Sequence, residues 1–167
     1  FKSQFLNFIA KRIYNNADAK IAPTNIIKND LIKNYNVNSN LIHKIPNPYD
    51  FNEIVKLSNK IPPNKEKKLL KNDYLLSIGR LHPQKNFPFL IKTFKHIVST
   101  KGFENLKLFI LGNGKDKNKL EEQIDTLNLK NKVKLLGFKE NPFVFMKQCK
   151  LFILSSIYEG HSNVLVH

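Results

Sequence analysis

Cysteine is nearly absent from this 167-residue chain: Cys149 stands alone, so no disulfide can close within it. It sits in an apolar stretch, residues 146–154, and reads as a small packed hydrophobe in a reducing compartment. No apolar run approaches the ~18 residues that a membrane-spanning helix needs. No His, Cys and Asp side chains fall at metal-ligand spacing, so no metal is expected. Nothing near Phe1 has the order of a secretory leader. Arginine is scarce as well, with only Arg12 and Arg80 among 28 basic residues. Acidic residues number 13, which leaves a net charge of +15. That excess admits two readings. A Lys-, Asn- and Ile-rich composition is what an AT-rich genome imposes on any protein; the competing reading is a preference for an anionic surface. The chain opens at Phe1 and closes with His167 after the apolar Val164-Leu165-Val166, so both ends are expected to be cuts through a longer protein.

What is present from Tyr74 onward is a regular alternation. Tyr74-Leu75-Leu76-Ser77-Ile78 is a short apolar run stopped by Gly79, the mark of a strand buried on both faces. Pro88 suits a first helical turn, and Phe89, Leu90, Phe94, Ile97 and Val98 follow on one helical face. Residues 106–111 form a second strand, closed by Gly112-Asn113-Gly114. Residues 115–129 are a polar helix carried by Leu120, Ile124 and Leu127. Residues 133–136 make a third strand, Asn141-Pro142 opens a helix to about Gln148, and residues 151–154 make a fourth strand. Short links between strand and helix imply a parallel sheet with right-handed crossovers. The fold class is α/β, a Rossmann-like doubly wound half, whose ligands bind beyond the carboxyl ends of the strands.

Residues 1–50 read as a separate piece. It holds a helix over 1–16 with Phe5, Phe8, Ile9 and Ile13 on its apolar side, a strand at 19–22, a helix capped by Thr24 or Asn25, and a strand at 41–45. Residues 51–73, with Pro62-Pro63 and many lysines, read as a linker. Residues 74–167 are the Rossmann-like domain.

Three clusters carry chemistry. Gly79 lets backbone approach a ligand, and Arg80 and Lys85 place two cations at the end of the first strand. A planar fork and a mobile ammonium suit a diphosphate; a solvated basic loop is the alternative. Gly112-Asn113-Gly114 either opens space for a nucleotide or makes a plain tight turn. After the fourth strand, Glu159-Gly160-His161-Ser162-Asn163 sets a carboxylate before Ser/Asn caps, so the next helix would aim free N–H groups at an anion. Glu159 is ill suited to phosphate and well suited to sugar hydroxyls; a helix-start charge is the other reading.

In order, "LLSIGRLHPQKNFPFLIKTF", "LKLFILGNG", "VKLLGF" and "LFILSSIYEGHSNVLVH" resemble the nucleotide-sugar domain of group 1 (family 4) retaining glycosyltransferases, which have the two-domain GT-B architecture. Upstream, "KIAPTNIIKNDL" and "IHKIPNPYDF" resemble the end of the acceptor-side domain. The resemblance implies transfer from a nucleoside-diphosphate-sugar to a sugar or glycolipid acceptor. A cytoplasmic location, with peripheral contact on the inner membrane face, is expected; nucleic acid is not an expected partner. A piece of this length is expected to be inactive alone. Arg80 and Lys85 would hold the diphosphate, with amides of Ser162, Asn163 and Val164 near the distal phosphate. Phe138 would border the base. Glu159, the catalytic candidate, would contact the transferred sugar together with Gly160 and His161. Where the family carries a second Glu eight positions on, this chain has His167, which offers the ribose one bond rather than two. Ser162 replaces a common Pro. No cofactor is implied. An epimerase or phosphorylase on the same architecture, or a basic polyanion- or membrane-binding module, are the competing functions.

Overall fold

The computed structural model describes residues 2–159, with side chains from residue 5 onward. The chain divides into two compact units, one over residues 2–49 and one over Asp50–Glu159.

The first unit contains α1 (Lys2–Asn16), β1 (Lys20–Ala22), α2 (Asn25–Tyr35) and β2 (Ile42–Lys44), with β1 and β2 paired in parallel. Thr24 caps α2 by accepting the Ile27 N–H at 3.1 Å, and Asn36 ends it in the left-handed conformation. Ala22, Val37 and Ile42 form a small core. The apolar side foreseen on α1 is present but uncovered within this unit: Phe5, Phe8 and Ile13 are all exposed. Tyr14 finds an aromatic partner, edge-on against Tyr35.

The second unit is a three-layer sandwich. Residues 51–73, expected as a linker, hold two short helices, α3 (Phe51–Ser58) and α4 (Asn64–Leu70), separated by Pro62-Pro63. Asp50 caps α3 through the Glu53 N–H at 2.9 Å. Then follow β3 (Tyr74–Ile78), α5 (Phe87–Val98), β4 (Lys107–Leu111), α6 (Lys117–Thr126), β5 (Val133–Gly137), α7 (Phe143–Gln148) and β6 (Leu151–Phe152). All four strands are parallel in the order β5-β4-β3-β6. The chain thus winds outward one way from β3 and then reverses to lay β6 on its other side. That reversal opens a crevice at the carboxyl ends of β3 and β6.

Strand alternation divides the core. Leu75, Leu108 and Ile110 face α5 and α6, whereas Tyr74, Leu76, Phe109 and Leu111 face α4 and α7. Phe87, Leu90, Ile91, Phe94 and Val98 carry α5 onto the sheet, each contributing about 1.5–3 kcal/mol by burial. On the opposite face Tyr74 stacks on Phe109 and donates its hydroxyl to the Phe145 carbonyl at 2.7 Å. Burial, and secondarily Cys149, pushes that phenol far above its ordinary range, so it remains a donor. Cys149 is half-buried in this cluster, as a small hydrophobe should be. Ser77, buried in β3, donates to the Ile153 carbonyl at 2.6 Å and fastens the short β6 to the sheet.

Phe94 is fully enclosed, so Phe94→Ala leaves a cavity that the rigid sheet cannot fill. Urea unfolding should show a loss of roughly 3–5 kcal/mol; a loss below about 1 kcal/mol would mean that α5 is not packed as described.

Candidate functional site

The loops after β3, β4 and β5 are laced together through backbone. The Gly79 N–H donates to Leu111 O at 2.9 Å, Leu81 N–H to Asn113 O at 3.0 Å, and Gly112 N–H to Gly137 O at 2.8 Å. This lacing explains the Gly112-Asn113-Gly114 run better than either open space or a plain turn. A Cβ on Gly112, whose φ is +130°, would lie 2.0 Å from the Gly79 carbonyl oxygen; one on Gly114 would lie 2.3 Å from the Leu81 oxygen. Two main chains pass where no side chain fits.

The laced loops frame a cleft of about 400 Å³. Ile78, Leu111, Phe138 and Pro142 give it apolar walls, and Arg80, Asn113 and Lys139 are its polar members. Arg80 and the Phe138 ring are both exposed, and so open to a ligand entering from solvent. Lys139 is held at 2.6 Å by Glu66 of α4, and the Asn141 amide donates to Leu57 O at 2.8 Å. The segment expected as a linker therefore braces one wall of the cleft. Nothing in the sequence signals that brace, because Glu66 and Lys139 lie 73 residues apart.

Lys85 is not among the residues lining the cleft. Its ammonium meets Glu159 Oε1 at 2.5 Å, and the Ser156 hydroxyl donates to the same oxygen at 2.6 Å. Both side chains are mostly buried, at 15% and 21% exposure, so this pair is screened less than a surface pair. Burial alone would raise the Glu159 pKa. Hydrogen bonds from Lys85 and Ser156, with the charge of Lys85, outweigh that and hold it below its ordinary value. Gly79 has a second task here. A Cβ at that position would sit 3.1 Å from Lys85 Cδ and Cε, so glycine also makes room for the lysine stem.

The structure thus joins Lys85 to Glu159, and Arg80 to Phe138, as two neighbouring groups flanking Gly79. Sequence reasoning missed Lys139 and the hydroxyl of Ser156 as members of these groups, and took Asn113 only as part of a glycine-flanked turn. Gly160, His161, Ser162, Asn163, Val164 and His167, with the helix start expected there, lie outside the described residues. Among the described residues no helix is long and apolar enough to cross a membrane.

The family model for group 1 glycosyl transferases matches residues 59–166. The chain belongs to that family. Its members that it resembles include an uncharacterized glycosyltransferase of Methanocaldococcus jannaschii, 36% identical over 165 residues, covering 98% of this chain and 40% of the relative. Another is the N-acetylgalactosamine-N,N'-diacetylbacillosaminyl-diphospho-undecaprenol 4-alpha-N-acetylgalactosaminyltransferase of Campylobacter jejuni, 33% identical over 166 residues, covering 99% of this chain and 42% of the relative. This group 1 chain spans about two fifths of the length of these curated relatives. Among solved structures, Anabaena HepE in complex with UDP-glucose matches with a TM-score of 0.78 and 24% identity, over 98% of this chain and 46% of that one. That likeness shows the GT-B fold.

Two outcomes follow from this geometry. Gly112→Ala should destabilise the chain by roughly 2 kcal/mol more than Gly102→Ala, because both positions have positive φ but only Gly112 meets backbone. Equal losses in thermal or urea unfolding would contradict the lacing. The second concerns pH. Since the folded Glu159 pKa is depressed, its stabilisation is complete above the unfolded value, near 4, and is lost as pH falls through the folded value. Wild type should exceed Glu159→Gln in stability at pH 7, and the gap should shrink progressively as pH falls from about 4 through the depressed folded value; a gap that does not shrink over that descent contradicts the ion pair.

Proposed function

We propose that this chain forms the donor site of a glycosyltransferase that moves a sugar from a nucleoside diphosphate to a sugar or glycolipid acceptor, with retention of anomeric configuration. The observation that carries it is the adjacency of two groups at the carboxyl ends of the strands: a cleft bearing Arg80 beyond β3, β4 and β5 and, across Gly79, the Lys85–Glu159 pair at the strand-order reversal. A flat base fits between the apolar walls and the Phe138 ring. The Arg80 guanidinium offers a fork to the diphosphate, and Lys85 keeps two of its three N–H donors after serving Glu159. Glu159, ionised at neutral pH, accepts hydroxyl hydrogen bonds from the sugar.

In this mechanism the bond from sugar to diphosphate breaks as an acceptor hydroxyl oxygen bonds to the anomeric carbon on the same face; negative charge grows on the departing diphosphate, which takes up the hydroxyl's proton. Arg80 and Lys85 meet that charge already in place, so little reorganisation is needed. By the resemblance alone, amides of Ser162, Asn163 and Val164 would add donors to the distal phosphate, Gly160 and His161 would contact the sugar, and His167 would give the ribose one hydrogen bond. These charges suffice without a metal in this reading. The relatives' names support the substrates: UDP-glucose is bound in HepE, and an undecaprenol diphosphate is the acceptor carrier of the Campylobacter enzyme. A charge of +15 suits docking against the anionic cytoplasmic face of a membrane, where such carriers reside.

Calorimetry with UDP tests the donor site in this chain directly. Saturable binding should weaken at least about tenfold in Arg80→Ala, the loss of a charged hydrogen-bonding partner. No binding in wild type, or equal binding in the variant, would remove the reading.

A further inference from the structure

Beyond Ile153, which packs against the core, the end of the loop that delivers Glu159 has little apolar to hold it. Ile157 and Tyr158 are about two-thirds exposed, at 67% and 66%, and regular strand pairing ends at Phe152. Polar bonds to one short element take the place of burial. That element is the 3₁₀ turn Pro83–Lys85, closed by Asn86 in the left-handed conformation, with Lys85 N–H to His82 O at 2.9 Å and Asn86 N–H to Pro83 O at 3.1 Å. The buried Phe87 roots it in the core. Three bonds tie the loop to this turn. The Ser155 hydroxyl donates to Lys85 O at 2.7 Å, the Ile157 N–H to Gln84 O at 2.9 Å, and the Gln84 side-chain amide to Tyr158 O at 2.9 Å. The last fixes the peptide plane from which Glu159 departs.

We propose that Gln84 and Ser155 are positioning residues, a clasp that holds the Glu159 carboxylate against Lys85 and so sets how much a donor's sugar adds to the affinity of its nucleoside diphosphate. The ligand half of this statement rests on the function proposed above; the effect on Glu159 does not. Gln84 must supply a donor, because its partner is a carbonyl. Gln84→Met keeps the length and loses the N–H, whereas Gln84→Lys keeps a donor of similar reach. Ser155→Ala removes the other side-chain bond, and Ser155→Thr retains it.

The test titrates the Glu159 carboxyl by carbon-13 NMR and measures UDP and UDP-glucose affinity by calorimetry in the same proteins. In Gln84→Met/Ser155→Ala the Glu159 midpoint should rise toward the ordinary carboxylate value. UDP affinity should stay within about twofold, while the increment from glucose falls by roughly fivefold, as for the loss of one or two ordinary hydrogen bonds. Gln84→Lys and Ser155→Thr should restore both readouts. A lowered melting temperature with an unmoved Glu159 midpoint overturns the proposal, as does an unchanged glucose increment. Should the double variant fail to fold, each single variant carries the same comparison. If UDP does not bind wild type at all, the donor-site reading fails, and the Glu159 midpoint alone decides the clasp.

Discussion

The ion pair between Lys85 and Glu159 is where the fold and the chemistry of this chain meet. Its partners come from loops 74 residues apart. They touch because β6 reverses the strand order and lies beside β3 rather than beyond β5. Such a contact costs desolvation at both ends, and it persists because each group has further partners or room. Ser156 shares the carboxylate, and the missing side chain of Gly79 leaves space for the lysine stem. A carboxylate held this way stays charged near neutrality and stays put.

Around that pair the sheet supplies rigidity. Two cores on opposite faces fix β3 and β4, and Ser77 draws the two-residue β6 against them. The glycine-lined passage of main chain past main chain then sets the cleft mouth. The brace from Glu66 to Lys139 extends the same logic to the third loop, since a helix on the outer face steadies a wall of the site. Each loop is steadied by an element from elsewhere in the chain.

Much of this was legible in the residues. Apolar runs without alternation announced strands covered on both faces, and β3, β4 and β5 lie where those runs place them, to within a residue or so. The polar helix ends were less legible: α6 spans Lys117–Thr126, shorter than its hydrophobic pattern, because Asn128 takes a positive φ and Leu129 packs from outside the helix. Residues 51–73 were obscured by lysines and by Pro62-Pro63, which separate a pair of helices rather than prevent them. Arg80, Lys85 and Glu159 stood out by type and place. Their place at one mouth of the sheet was read from the sequence, but the direct pairing of Lys85 with Glu159 was not, since the turn of Lys85 toward Glu159 depends on the loop bonds of Gln84 and Ser155. Long-range side-chain bonds leave no periodic trace.

Cleft and ion pair form, on this view, two halves of a single donor site. Amide chemical-shift mapping of the chain with UDP-glucose reads that arrangement most directly. One titration should move the signals of Gly79, Arg80 and Phe138 together with those of Lys85 and Ser156, all with the same apparent affinity. Shifts confined to one group, or two groups saturating at different concentrations, would contradict it.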